Sequence, residues 1–110
     1  MVKYLFCGSV LTDDYNVLRI FLEGLNTWGR VWRENVVVLD DGSLPGLEGE
    51  VAEFRHLEHR HVDGWADRHP NIVIAFMDRL SHNRETEQLL RRAESAGIPA
   101  YVIGRYGVGT

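Results

Sequence analysis

Glycines, hydroxyl residues and one arginine, gathered at three short loops, carry most of the chemistry that this 110-residue chain offers. Gly8-Ser9 follows one apolar run, Asp40-Asp41-Gly42-Ser43-Leu44-Pro45-Gly46 follows a second, and Asp78 to Asn83, leading into Arg84, follows a third. Glycine lets the backbone approach a ligand closely, and the free amides at the start of a helix suit a phosphate or carboxylate. Arg84 adds a forked cationic donor for the same anion. The competing reading makes these glycines ordinary turn formers and Arg84 solvated surface. The histidines invite a metal reading, because His56, His59 and His61 are close in sequence. On a helix His56 and His59 share a face without His61; on a strand His59 and His61 share one without His56. No cysteine lies near them, so a solvated basic stretch with Arg55 and Arg60 fits better than a zinc site, and neither metal nor cofactor is expected. Cys7, the single cysteine, ends an apolar run and reads as a small core residue rather than a nucleophile.

The elements that would position these loops alternate between strand and helix. Val2 to Cys7, Asn35 to Leu39 and Asn71 to Met77 are short apolar runs rich in β-formers, the pattern of strands covered on both faces, and the third belongs in the centre of a sheet. After Thr12 as cap, Leu18, Phe21, Leu22, Leu25 and Trp28 recur at helical spacing, with Gly29 as the stop. From Leu47 to His61 the residues Leu47, Val51, Phe54 and Leu57 fit one helical face, and Val62 to His69 reads as a short helix carrying Trp65 and closed by Pro70. Ser81 or Asn83 caps a last helix with inner face Thr86, Leu89, Leu90, Ala93 and Ala96, ended by Gly97 and Pro99. Ala100 to Gly104 supplies a final strand, with a frayed tail to Thr110. This order predicts one α/β domain over residues 1–110, a Rossmann-like three-layer sandwich around a mainly parallel sheet of four to five strands. Ligands of such sheets bind outside the carboxyl ends of the strands, where all three loops fall.

Composition narrows the partners. A hydrophobic share of 45% with 25% charged residues is ordinary for a folded domain. A net charge of -4 argues against a general grip on nucleic acid, so a bound nucleotide would be a small molecule. No run approaches the length of a membrane span, the first residues lack a signal core, and one cysteine fits a reducing cytoplasm. Trp32, between Arg30 and Arg33, is the best candidate for an exposed contact in a homo-oligomer.

Two stretches resemble the SLOG superfamily of Rossmann-like domains, and within it the small YspA-like branch. In the first, the strand ending in Cys7-Gly8-Ser9 leads to Thr12-Asp13-Asp14-Tyr15 and an amphipathic helix. In the second, Asn71 to Phe76, Arg84 to Ala93 and Ala96-Gly97-Ile98-Pro99 look like the closing strand, the Gly-Thr helix start and the final turn. The resemblance implies a domain of bacterial or phage type that binds a nucleotide or nucleotide-derived ligand. It carries over Gly8, Ser9, Gly42, Arg84 and Thr86 as ligand-binding residues, to which loop position adds Ser43 and Asn83. The family's arginine after the first Gly-Ser is Val10 here, the glycine of its Gly-Thr pair is Glu85, and its phosphate loop survives only as Asp41 to Gly46. The glutamate that nucleotide-cleaving relatives carry is Leu89, so binding without catalysis is expected, and an interaction protein that has lost the pocket is the alternative. Val36 to Leu57 also looks like the phosphoacceptor strand of response-regulator receivers, with Asp41 as acceptor. A receiver needs an acidic pair after its first strand to hold magnesium, and Cys7-Gly8 stands there.

Overall fold

In the computed structural model the residues described are 1–8, 15–63, 70–76, 84–104 and 107–109. Strand β1 (Val2–Gly8), helix α1 (Tyr15–Trp32), strand β2 (Val36–Asp40), helix α2 (Leu47–Ala52) and strand β3 (Leu57–His61) form the first half. Strand β4 (Ile72–Phe76), helix α3 (Arg84–Ser95), strand β5 (Ala100–Gly104) and strand β6 (Gly107–Gly109) form the second. The sheet order is β3-β2-β1-β4-β5-β6; the first five strands in chain order are mutually parallel, and β6 runs antiparallel to β5. The chain builds outward from β1 to β3 and then returns to place β4 beside β1. That reversal is the switch point of a Rossmann-like fold, whereas a receiver follows the order 2-1-3-4-5.

Strand alternation divides the core into two layers. Phe6, Val36, Val38, Ile74, Phe76 and Ile103 face α1 and α2, where they meet Leu18, Leu22, Leu25, Leu47 and Val51. Leu5, Cys7, Val37, Leu39, Val73 and Ala75 face α3, which brings Ala93 and the partly buried Leu89 and Leu90. The first layer is filled by an aromatic trio, with Phe6 5.1 Å from Phe76 and 5.7 Å from Phe21 between ring centroids. On the α3 side the packing residues Cys7, Ala75, Ala93 and Ala100 are small, which lets the helix lie close to the sheet.

The expected three-layer α/β fold is observed, with several elements corrected. Helix α1 continues through Gly29, which packs closely against β2: a Cβ there would lie 3.1 Å from the Val36 side chain, a tight contact. Arg33, at φ 55°, ends the helix, and the Glu34 N–H donates to the Gly29 carbonyl at 3.0 Å, closing a Schellman-type turn. Trp28 is 36% exposed, so it stands at the margin of the inner stripe. The segment 47–61 is not one helix: α2 stops at Ala52, and 57–61 is the edge strand β3, whose sequence LEHRH suits a solvent-facing edge. Its apolar spacing misled because Phe54 and Leu57 pack on the same layer from a turn and a strand. Val62 is not helical; the rest of the expected 62–69 helix, apart from the bend at Asp63, lies outside the described residues, as do the expected caps Thr12, Ser81 and Asn83. Ala96 is exposed rather than on the inner face of α3, and the tail forms β6 where fraying was expected.

Candidate functional site

Beyond the carboxyl ends of β1 and β2, alternation sends two neighbouring carboxylates to opposite faces of the sheet. Asp40, the last residue of β2, belongs to the α1/α2 layer and is 6% exposed. Its Oδ2 lies 2.9 Å from His59 Nε2 on the adjacent strand, and its Oδ1 accepts the Gly42 N–H at 2.8 Å. Asp41 turns to the α3 face. Its Oδ1 accepts the Ser43 N–H at 3.0 Å and the Ser43 hydroxyl at 2.5 Å, an Asx turn that fixes the loop. Ser43 Oγ in turn accepts the Gly8 N–H at 3.1 Å, tying the exit of β1 to the loop after β2.

Gly8 makes that junction possible. Its φ is 142°, and a Cβ built there would sit 2.0 Å from the Phe76 carbonyl oxygen on β4. Gly42, at φ 86°, and Gly46, at φ 80°, shape the loop into α2.

A cleft of about 270 Å³ opens between this junction and α3, lined by Leu5, Asp41, Ser43, Val62, Asp63, Glu85, Thr86, Gln88, Leu89 and Arg92. Leu5, Val62 and Leu89 give it apolar walls, while Ser43, Thr86 and Gln88 bring groups that donate and accept hydrogen bonds. Among the described residues the lining holds three carboxylates and one guanidinium, a net acidic set. The Cys7 thiol is fully buried beneath it; burial first, and then the nearby Asp41 carboxylate, push its pKa far above the usual range. It is not a thiolate nucleophile at neutral pH.

Of the expected site residues, the structure brings together Gly8, Ser43 and Thr86, the last 3% exposed in the first turn of α3. Gly42 braces the loop beside His61 rather than lining the cleft. Arg84 is exposed at the start of α3 and is not part of the lining. Ser9 and Asn83 lie outside the described residues. Asp63, Gln88 and Arg92 were missed. Gln88 and Arg92 sit three and seven residues after Glu85, so a helical projection from Glu85 places them on one face with Leu89 and could have revealed them. Asp63 carried no such signal, because 62–69 read as helix. The histidines separate: His59 pairs with Asp40, His61 is exposed beside Gly42, and His56 precedes β3. Among the described residues no three metal-binding side chains converge, and no helix is long and apolar enough to cross a membrane.

These features define a Rossmann-like α/β domain with a cleft at its strand ends. Comparison with known protein families, curated proteins and solved structures found no match to the chain.

Proposed function

We propose that the chain is a non-catalytic binding domain for a nucleoside-type ligand, held in the cleft between α3 and the ends of β1 and β2. The observation that carries this reading is the placement of Asp41 and Ser43 beside the β1 exit, with Thr86 and Gln88 opposite. In Rossmann-like sheets an acidic residue following the glycine turn accepts ribose hydroxyls, which Asp41 is placed to do from the end of β2. A volume of about 270 Å³ is just below the range of roughly 300–1,000 Å³ for small-ligand pockets. That suits one nucleoside and not a dinucleotide. Asp41, Asp63 and Glu85 oppose a phosphate-rich ligand, so recognition runs through hydroxyls and base edges. This departs from the anion role expected of Arg84 while keeping the nucleotide-derived ligand class that the SLOG-like motifs imply. The same acidic lining favours the second reading, an interaction protein whose pocket has been given up.

A thermal-shift panel of nucleosides, mononucleotides, cyclic nucleotides and ADP-ribose derivatives separates the two. At 100 times its Kd a ligand adds about 2.7 kcal/mol of stability. Nucleosides are expected to raise the Tm more than their triphosphates, and Asp41→Asn to remove most of the gain while Arg84→Ala keeps it. A saturating panel that leaves Tm unchanged overturns the binding reading in favour of the interaction protein.

A further inference from the structure

Helix α1 carries more apolar surface than the core uses. Leu18, Leu22 and Leu25 are buried against the sheet, yet Ile20 is 68% exposed, Val31 64% and Trp32 68%, and Trp28 adds a partly exposed indole. With 3.6 residues per turn, Ile20, Gly24, Thr27, Trp28, Val31 and Trp32 fall within an arc of about 140°. They form one exposed stripe along the helix that runs beside the inward face, with the two indoles nearest to it. Nothing lies within 4 Å of where a Gly24 side chain would be, so the stripe has an open hollow at its middle.

We infer that this stripe is the face through which two copies of the chain pair, with their α1 helices antiparallel. A two-fold pair must be self-complementary, and reversal about the middle of the stripe meets that demand. Trp28 of one copy then sits over the Gly24 hollow of the other, and Ile20 comes opposite Trp32. The charges bordering the stripe match the same register: Glu23 faces Arg30 of the second copy on both sides of the axis. Arg19, further round the helix, is already held by Glu50 of its own chain at 3.2 Å.

The area fits a second copy. With roughly 150–250 Å² for a whole Trp and less for Ile or Val, the exposed fractions leave about 400–500 Å² of apolar side chain on one copy. That matches the largest apolar patch of a typical monomer, a size that often marks a functional surface. Doubled, and with a polar rim added, it reaches about 1,200 Å², the lower edge of specific interfaces. A reversible dimer is the expected assembly. A net charge of -4 argues against the rival occupant, an anionic lipid surface. This inference does not rest on the cleft or its ligand.

Sedimentation equilibrium of the whole chain in 0.15 M salt, from 1 to 200 µM, tests it. The expected result is a monomer–dimer equilibrium that Ile20→Glu with Val31→Glu, or Thr27→Arg alone, shifts to monomer with unchanged circular dichroism. Glu23→Arg weakens pairing about fivefold, and adding Arg30→Glu restores it. Under mild oxidation a mixture of Gly24→Cys and Trp28→Cys chains gives the mixed disulfide in preference to either symmetric one. A chain that stays monomeric at 200 µM overturns the inference, as does dimerisation indifferent to these changes or preferential symmetric cross-linking. A monomer that binds vesicles of anionic phospholipid overturns it in favour of a membrane-facing helix.

Discussion

Replacing Gly8 with alanine adds one methyl group at the point where β1, β4 and the cleft meet, and its cost can be worked from the geometry. The added carbon would lie 2.0 Å from the Phe76 carbonyl oxygen, 2.7 Å from its carbon and 2.9 Å from its nitrogen. All three are backbone atoms of the strand paired in register with Gly8, so no side-chain rotation relieves the clash. At φ 142° the backbone is also one that residues with a Cβ rarely adopt, which alone costs about 1–3 kcal/mol. Overpacking of a fixed neighbour adds about 1–3 kcal/mol more. The sum, roughly 2–6 kcal/mol, is a large part of the 5–15 kcal/mol that holds a domain of this size. Urea unfolding followed by circular dichroism should show the midpoint falling by that energy divided by an unchanged m, and Tm should drop by at least about 8 °C. Gly49→Ala serves as the matched control. Nothing lies within 4 Å of its added carbon, on a helix, so the same change should stabilise by about 0.5–1 kcal/mol. If Gly8→Ala costs less than about 1 kcal/mol, the close approach of β1 to β4 at this junction is wrong, and the geometry of the cleft's edge goes with it.

Two further expectations follow from particular residues. Arg33 holds a left-handed conformation at the end of α1, so Arg33→Gly should stabilise by about 1 kcal/mol, read as a rise in Tm of several degrees; no rise would show that the Arg33 side chain repays the strain. Cys7 is fully buried with its pKa raised, so the native protein should resist a thiol reagent at pH 8 and react at once in denaturant. The same shift has a pH consequence: the native state keeps the proton that the unfolded thiol releases, so this contribution is intact below the usual thiol value of 9.0 and declines above it. The loss should be about 1 kcal/mol from pH 9 to 10, and Cys7→Ala should flatten that slope. An unchanged slope in that variant would remove Cys7 as its cause.

Strands β1, β2, β4 and β5 and the two long helices were legible because each carries one unambiguous signal, an apolar run or a helical period. Val36 to Leu39 and Ile72 to Phe76 are unbroken apolar runs, and both are buried central strands. Where two causes compete for one signal, the reading failed. Gly29 was taken as a helix stop because glycine commonly terminates helices, yet there it serves close packing against Val36, and the stop is an arginine in a conformation that favours glycine. Leu57 to His61 lacks a run of β-formers because an edge strand with one polar side needs none. In the cleft, the loop residues Gly8 and Ser43 could be seen from turn chemistry, but Asp63 is brought there by the carboxyl end of β3, a strand that the apolar spacing hid.

The two aspartates ending β2 show how one rule of backbone geometry separates structure from function. Because successive residues point to opposite faces, an acidic pair at a strand end must serve two layers. Asp40 enters the α1/α2 layer and is matched there by His59 and the Gly42 amide, a nearly buried carboxylate that has found its partners. Removing His59 would leave the Gly42 amide to hold it and one buried carboxylate oxygen without its His59 contact, which costs more than that contact contributed. Asp41 enters the other layer at the rim of the cleft, where Ser43 holds it without covering it from the cavity. The first is therefore a stability residue, and under the proposed function the second is the recognition residue, although they are chemically identical neighbours. Exchanging each for asparagine should divide along that line: Asp40→Asn lowers the urea midpoint with ligand response retained in what folds, and Asp41→Asn leaves the midpoint near wild type while removing the response. If both changes act on stability alone, the cleft face of β2 has no recognition role.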